Sequence, residues 1–330
     1  MSEVKKYKIE EPYLHLQCSL GEAPFWEKSR DSLRFVDIVK KKLHTVNLTE
    51  GPSSHKELDL EYSIGTTADI DGNDDEFVFG GKLGYGIMHR DTGKIRWIKK
   101  MWNDDERKDD GGGKPGVGKN REERMRSNDG AVDSEGRYWV GAMRYGPTFF
   151  NDPAVVGSNV TDEGIVFRLD NDLSLHRVIE GVSIPNGTSW TLDNKTIYLT
   201  DSPSGTIKSY PYDPQTGKIA LSEGKVFFKV EKGVPDGHCQ DEEGYLWVAN
   251  HGNGKVFRVN PQGKIVAEIE LPTRCVTCPG FCGTELFITS MEEEDPETYP
   301  WSTKYQGALF RIDVGVRGSP LHKFKMAVNA

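Results

Sequence analysis

Long apolar runs are missing from this 330-residue chain. No stretch reaches the ~18 to 20 apolar residues that a membrane-spanning helix needs, and the mean hydropathy is −0.59. The opening residues, MSEVKKYKIEEPY, include no apolar stretch of the kind that a secretory signal carries. We therefore expect a cytoplasmic protein with no membrane partner.

Basic runs and cysteine are also scarce. The chain has 51 Asp and Glu against 42 Lys and Arg, a net charge of −9, and no long basic segment, so nucleic acid is not an expected partner. Its five cysteines are an odd, unevenly spaced set: Cys18, Cys239, Cys275, Cys278 and Cys282. This pattern predicts reduced thiols rather than a disulfide framework.

Helical periodicity is rare, whereas a β-type repeat runs through the whole chain. Six segments share a polar or glycine turn followed by an aromatic residue in a β-prone run, and these aromatics are Phe35, Phe77, Trp139, Tyr198, Trp247 and Phe287. They lie 40 to 62 residues apart, which is the size of a four-stranded blade. The sequence therefore predicts an all-β fold, a single six-bladed β-propeller domain over residues 1–330 with four-stranded antiparallel blades around a central channel. An irregular β-sandwich or two small β domains is the alternative.

Two segments depart from the repeat. Residues 103–124 are rich in glycine and charge, and residues 144–162 lengthen the following unit. The first segment is of low complexity and cannot bury a core, and both segments are interpreted as surface-loop insertions. We expect them to form a lid that sets substrate size.

A polar residue recurs 11 to 13 positions before four of the six aromatics: Glu22, Asn128, Asn186 and Asp236. Taken singly, each resembles a turn, because Asn or Asp beside Gly is common turn chemistry. Taken together, they predict two carboxylates and two carboxamides on the innermost strands, facing the channel. A cation would offset the repulsion between them, and an all-oxygen ligand set favours Ca²⁺, Mg²⁺ or Mn²⁺, although Zn²⁺ also accepts carboxylate ligands.

The segments around these residues resemble the SMP-30/gluconolactonase/luciferin-regenerating-enzyme family, also called regucalcin-like. The resemblance runs from about Leu16 to Lys325, and its strongest stretches include LGEAPFW (20–26), RSNDGAVDSEGRYWVGAM (126–143), IPNGTSWTLDNKTIYLTDS (184–202) and VPDGHCQDEEGYLWVANHGNGKVFRVNPQGK (234–264). It implies a six-bladed propeller that holds one divalent metal ion, with Ca²⁺ favoured over Mg²⁺, Mn²⁺ and Zn²⁺.

The resemblance also implies roles for individual residues. Glu22, Asn186 and Asp236 match the metal ligands, and Asp236 doubles as the general base. Arg126 and Asn128 match the substrate-contacting pair of the family's R-x-N-D-G motif. One position departs: members that act on sugar lactones can carry a glutamate three residues after G-x-M, where this chain has Gly146.

These assignments predict a hydrolase that opens a γ- or δ-lactone, such as a sugar or aldonic acid lactone, to the hydroxy acid. The metal would polarise the carbonyl and stabilise the oxyanion, while Asp236 activates a water. The alternatives are a related metal-dependent esterase or phosphotriesterase and a non-catalytic calcium-binding regulatory propeller. We expect a small-molecule lactone as the partner and a monomer or weak homodimer.

Several other residues are candidates for a site. Asp201 and His251 end predicted aromatic strands and would either contact substrate or cap turns. His238 follows Asp236 by two residues and would either support the metal ligands or be a structural histidine. The cysteines between 275 and 282 invite a thiolate–metal interpretation, but small apolar packing on an inner strand is favoured.

Overall fold

The computed structural model describes residues 4–108, 120–144 and 163–327. By its internal contacts the chain divides into two compact units, residues 1–60 with 186–321 and residues 61–185 with 322–330. The single-domain assignment stays a prediction. Among the described residues, no helix has the length and apolar character needed to cross a bilayer.

Strands make up most of the described chain. From the amino end they are β1 (Lys5–Lys8), β2 (Gly21–Glu27), β3 (Ser32–Asp37), β4 (Lys42–Asn47), β5 (Lys56–Asp59), β6 (Ile64–Ile70), β7 (Asn73–Gly81), β8 (Gly84–His89), β9 (Ile95–Lys100), β10 (Met125–Val132), β11 (Tyr138–Arg144), β12 (Gly164–Leu169) and β13 (Leu175–Val182). They continue with β14 (Pro185–Trp190), β15 (Thr196–Asp201), β16 (Thr206–Asp213), β17 (Lys218–Ile219), β18 (Lys225–Lys229), β19 (Val234–Gln240), β20 (Leu246–His251), β21 (Lys255–Val259), β22 (Ile265–Glu270), β23 (Val276–Cys282), β24 (Glu285–Ser290) and β25 (Phe310–Asp313). Within the described ranges the remaining elements are one α-helix, α1 (Arg121–Arg124), and short 3-10 turns at Lys28–Arg30, Pro52–Ser54, Ser202–Ser204, Leu221–Glu223 and Pro300–Tyr305.

The strands form six separate sheets in which consecutive strands are neighbours. The second unit holds the sheets β6-β7-β8-β9 and β10-β11-β12-β13. The first unit holds β2-β3-β4-β5, β23-β24-β25, β19-β20-β21-β22 with β1 at its edge, and β14-β15-β16, in which both β17 and β18 pair with β16. Six small sheets of this kind are the blades of a six-bladed β-propeller, so the predicted all-β fold class is confirmed.

The amino-terminal segment completes two sheets of the first unit. Strand β1 pairs with β22 in parallel, with Lys5 opposite Ala267, and thereby makes that sheet five-stranded. Leu14 forms an antiparallel bridge with Leu309 beside the three-stranded sheet. The segment thus covers edges whose backbone groups would otherwise be open to pairing.

The predicted aromatic repeat marks the second strand of every sheet. Phe35, Phe77, Trp139, Tyr198, Trp247 and Phe287 lie in β3, β7, β11, β15, β20 and β24, and each is buried. Their large apolar surfaces pack between sheets; in the first unit, for example, Trp247 meets Phe281 edge to face with ring centroids 6.1 Å apart. The repeat in the sequence is therefore a repeat of core positions.

A shared motif, D-x-x-G-x-x-W, shapes two hairpins that join an inner strand to the aromatic strand. In the second unit, Asp133 Oδ1 accepts hydrogen bonds from the backbone N–H groups of Glu135 and Arg137, and its Oδ2 accepts one from Trp139 Nε1 at 2.8 Å. Gly136 adopts a φ of 84°, which an L side chain rarely tolerates. Asp241 repeats these bonds in the first unit, where Trp247 Nε1 donates to its Oδ2 at 2.9 Å.

Candidate functional site

The four recurrent polar residues all lie on the first strand of a sheet: Glu22 in β2, Asn128 in β10, Asn186 in β14 and Asp236 in β19. The strand pairing slips immediately around three of them, between Glu22 and Phe25, between Ser127 and Gly130, and between Pro235 and His238. These slips are β-bulges, which bend a strand and redirect side chains. The turn interpretation of these segments is therefore wrong, since all four polar residues lie in strands and three of them lie at bulges.

Close packing between inner strands explains the glycine that follows two of these residues. A Cβ on Gly187 would lie 2.2 Å from His238 Nδ1, and a Cβ on Gly237 would lie 2.5 Å from Cys278 Sγ. Neither glycine has a positive φ. In the first unit, β14 therefore packs against β19, and β19 against β23, at the level of Asn186 and Asp236.

Glu22 is held in a strained piece of backbone. Its side chain is buried, with the residue 4% exposed, and its Oε2 accepts a hydrogen bond from the Ala23 N–H at 3.1 Å. Ala23 adopts a φ of 52° directly before Pro24, a left-handed conformation that costs about 1–3 kcal/mol at a non-glycine residue. Such strain is typical of positions where the backbone must aim a functional group.

Asn186 carries an unsatisfied buried oxygen. Its Nδ2 donates to Ser202 Oγ at 3.1 Å, which fixes the orientation of the carboxamide. Its Oδ1 is buried, and no donor reaches it among the residues that the structure describes. A buried acceptor without a partner costs about 1–3 kcal/mol. A carboxamide oxygen of this kind is a common ligand of hard cations such as Ca²⁺.

Asp236 lies beside a buried histidine. His251 Nδ1 is 3.9 Å from Asp236 Oδ2 and 3.2 Å from the carbonyl of Val276, while Nε2 lies 3.1 Å from Glu294 Oε2. Burial lowers the pKa of His251, but the hydrogen bond and charge of Glu294, together with the charge of Asp236, raise it overall. His251 therefore joins Asp236 to Glu294, a role that sequence reasoning left open.

His238 is a structural residue. Its Nε2 is 2.8 Å from Ser189 Oγ and its Nδ1 is 3.3 Å from Thr200 Oγ1, so both ring nitrogens have hydroxyl partners. Burial lowers its pKa to about 3. The imidazole is therefore neutral at physiological pH and holds β14, β15 and β19 together.

Asn250 is a buried residue that sequence reasoning missed. It pairs with Pro235 across the bulge of β19, it is 1% exposed, and its Oδ1 has no hydrogen-bond partner within the described ranges. Its only sequence signal is its place three residues after Trp247.

Asp201, by contrast, ends β15 at the 3-10 turn that starts at Ser202, without a side-chain capping bond to that turn.

Arg126 and Asn128 form a connected pair in the second unit. Arg126 Nη1 donates to Asn128 Oδ1 at 2.7 Å and to the Ser127 carbonyl at 2.8 Å. Asn128 Nδ2 donates to the Pro185 carbonyl at 3.0 Å. Both residues are buried, and the pairing holds the guanidinium in one orientation. Their predicted contact with substrate stays a prediction.

The predicted lid falls largely outside the described residues. Residues 109–119 and 145–162, including Gly146, belong to that part of the chain. The described part of the first insertion includes α1, whose N-cap Asn120 accepts a hydrogen bond from the Glu123 N–H at 3.0 Å.

Glu22, Asn186 and Asp236 fit a hard divalent ion by their chemistry. All three are buried residues of the first unit with side-chain oxygen atoms. Two are carboxylates, and the third presents Asn186 Oδ1, which has no hydrogen-bond partner among the residues with described positions. Carboxylate and carboxamide oxygens are the ligands that Ca²⁺ takes in proteins. That these residues bind a metal ion stays a prediction.

Comparison with known proteins gives consistent matches over most of the chain. The family model described as the SMP-30/gluconolactonase/LRE-like region matches residues 20–292. Regucalcin of Xenopus laevis is 32% identical over 306 residues, covering 91% of this chain and 92% of that protein. YvrE of Bacillus subtilis, provisionally named a sugar lactone lactonase, is 28% identical over 303 residues, covering 91% and 92%. The crystal structure of regucalcin from Agrobacterium tumefaciens, described as a calcium-binding protein, superposes with a TM-score of 0.81 at 21% identity, covering 98% of this chain and 100% of that one.

Proposed function

Because the chain belongs to the SMP-30/gluconolactonase/LRE-like family, we propose that it is a metal-dependent lactonase that opens γ- or δ-lactones of the sugar or aldonic acid class. The observation that carries the proposal is the buried Oδ1 of Asn186 on the inner strand β14, which no donor reaches within the described part of the chain. Asn186 lies in the same unit as the carboxylates of Glu22 and Asp236. YvrE supports the substrate class through its name, and the regucalcin from Agrobacterium tumefaciens, described as a calcium-binding protein, supports the ion.

In this proposal Glu22, Asn186 and Asp236 hold one divalent ion, with Ca²⁺ favoured. When bound, the ion supplies Lewis-acid polarisation of the lactone carbonyl. Ser202 positions the Asn186 carboxamide through its hydrogen bond, and the bulge at Ala23 and Pro24 fixes the backbone next to Glu22.

Asp236 is the general base in this proposal. It removes a proton from a water molecule whose oxygen adds to the lactone carbonyl carbon, and the ring C–O bond then breaks as the ring oxygen takes up a proton. The products are a free carboxylic acid and a hydroxyl group on one chain. His251 lies beside this carboxylate, with its Nδ1 3.9 Å from Asp236 Oδ2.

Arg126 and Asn128 bind the substrate in this proposal. The guanidinium is a multiple hydrogen-bond donor that suits sugar hydroxyls or a developing negative charge. Asn128 holds it through the 2.7 Å bond to its Oδ1. We assign this pair to substrate affinity rather than to water activation.

Lactone hydrolysis followed by proton release tests the proposal. Protein stripped with a chelator is assayed with Ca²⁺, Mg²⁺, Mn²⁺ or Zn²⁺ restored, across five- and six-membered sugar lactones. We expect activity that requires the ion and falls by about 10²-fold or more in Asp236→Asn, while the exposed-turn variant Asp193→Asn keeps wild-type activity. Activity that is independent of metal, or unchanged in Asp236→Asn, would contradict the mechanism. Hydrolysis of carboxylic or phosphate esters but of no lactone would contradict the substrate class.

A further inference from the structure

A mixed cluster of nitrogen, sulfur and oxygen donors lies in the first unit, next to the proposed ion site but built from other residues. It comprises His251 at the end of β20, Cys275 just before β23, and Glu294 shortly after β24. One ligand atom from each lies within 4.8 Å of the other two. Three strand ends thus bring together residues that are 19 to 43 positions apart in the sequence.

The imidazole of His251 is oriented as a metal ligand requires. Its Nδ1 is 3.2 Å from the Val276 carbonyl and 3.9 Å from Asp236 Oδ2, so an Nδ1–H group is held on that side. Nε2 therefore faces Glu294 Oε2, at 3.1 Å. Histidines that bind metals usually donate their second N–H group to a carbonyl or carboxylate, which fixes both tautomer and ring orientation.

The thiol of Cys275 is fully buried and lies 3.6 Å from Glu293 Oε2. Burial raises the pKa of this thiol to about 12, so it is neutral until a metal ion displaces its proton. Arg274 pairs with Glu293 and neutralises that carboxylate. The side chain of Glu294 is 19% exposed, which gives an ion a route from solvent to the cluster.

We propose that His251 Nε2, Cys275 Sγ and the Glu294 carboxylate bind a divalent transition-metal ion of the zinc class, with water as the fourth ligand. The tetrahedral Zn²⁺ geometry places ligand atoms about 3.3–3.8 Å apart. His251 Nε2 and Glu294 Oε2, 3.1 Å apart, are already near this spacing, and Cys275 Sγ, within 4.8 Å of a ligand atom of each of these residues, reaches it by side-chain rotation. Donors of this type select Zn²⁺ or Co²⁺ over Ca²⁺, whereas the all-oxygen set of Glu22, Asn186 and Asp236 suits the harder ion.

Optical titration with Co²⁺ tests this site independently of any enzymatic activity. Metal-free protein is first saturated with Ca²⁺ and then titrated with Co²⁺ under reducing conditions. We expect a thiolate-to-cobalt charge-transfer band that saturates at one ion per chain, is abolished by Zn²⁺ and persists in excess Ca²⁺. The band disappears in Cys275→Ser and remains in Cys278→Ser, a matched control because Cys278 is also buried and lies three residues further along the chain, in β23.

A second variant covers the case in which the cysteine substitution disturbs folding. Glu294→Gln changes a partly exposed side chain and keeps its shape, and we expect it to weaken Co²⁺ binding about tenfold or more, with an unchanged far-ultraviolet circular dichroism spectrum. Absence of the band in the wild type, its survival in Cys275→Ser, or wild-type affinity in Glu294→Gln would each overturn the proposal. Removal of the band by Ca²⁺ would also overturn it, because a single shared ion site would then explain the binding.

Discussion

Replacing Asn186 by leucine separates the structural contribution of this residue from its contribution to ion binding. Its Oδ1 is buried without a donor among the described residues, a state that costs about 1–3 kcal/mol. Leucine has a similar shape and removes that cost, while the variant loses the hydrogen bond from Nδ2 to Ser202 Oγ, worth about 0.5–1.5 kcal/mol. In chelator, the free energy of unfolding of Asn186→Leu should therefore lie within about 1 kcal/mol of the wild-type value or exceed it.

Added Ca²⁺ should reverse the order of the two proteins. Saturation at 100 times the dissociation constant stabilises an ion-binding protein by about 2.7 kcal/mol. We expect the wild type to gain an increment of this size and Asn186→Leu to gain none. A side chain that lowers the stability of the metal-free protein but raises it when Ca²⁺ is bound acts as a metal ligand rather than as a packing residue.

Urea unfolding followed by tryptophan fluorescence, with and without Ca²⁺, measures both quantities. Asn128→Leu is the matched control, because Asn128 is equally buried but bonded at both ends of its carboxamide. We expect this control to lose about 1–3 kcal/mol and to keep the full Ca²⁺ increment. The reasoning is refuted if Asn186→Leu is destabilised as much as Asn128→Leu in chelator, or if it still gains stability with Ca²⁺.

Three further predictions concern stability. Burial, followed by the charge of His55, lowers the pKa of His44 from 6.5 to about 4. The unfolded chain therefore binds more protons than the folded protein between these pH values, and the free energy of unfolding falls by up to about 3 kcal/mol as the pH falls from 6.5 to 4. Urea midpoints of the wild type and His44→Gln across this range should show a shallower pH dependence in the variant. Gly237→Ala places a Cβ 2.5 Å from Cys278 Sγ and should lower the free energy of unfolding by about 1–3 kcal/mol. Asp241→Ala removes a buried hydrogen-bond acceptor that bonds two backbone N–H groups and a tryptophan and should cost about 3 kcal/mol or more.

Each of these predictions has an outcome that would contradict it. Equal pH dependence of the wild type and His44→Gln would mean that His44, whose Nδ1 lies 3.0 Å from His55 Nε2, does not titrate in the unfolding transition. An unchanged stability of Gly237→Ala would mean that β19 and β23 can separate without cost. A loss below about 1 kcal/mol in Asp241→Ala would mean that the hairpin is held by packing alone.

The aromatic repeat could be read without a structure because it reports a local requirement. A second strand buried on both faces needs an aromatic or β-branched side chain in each sheet, and the turn before it needs polar residues and glycine. The same regularity places Glu22, Asn128, Asn186 and Asp236 on first strands, as predicted. Spacing from the aromatic residues is therefore enough to predict which strands carry these four polar residues.

The purpose of the Asn-Gly and Asp-Gly pairs could not be read in the same way. Gly187 and Gly237 follow Asn and Asp, as glycines in turns often do. Both nevertheless lie in strands, where a neighbouring strand leaves no room for a Cβ. That neighbour is 41 to 51 residues away, since His238 approaches Gly187 and Cys278 approaches Gly237. Local sequence rules contain no information about such contacts.

By itself, the sequence determined the number of blades, the strand that carries each buried aromatic and the candidate oxygen ligands, because these follow from periodicity and residue chemistry. Tertiary structure alone decided the bulges that aim those ligands, the hydroxyl partners that make His238 structural, and the meeting of His251, Cys275 and Glu294. The physical reason is distance along the chain: each of these features depends on atoms from strands that pack together only after the sheets have formed.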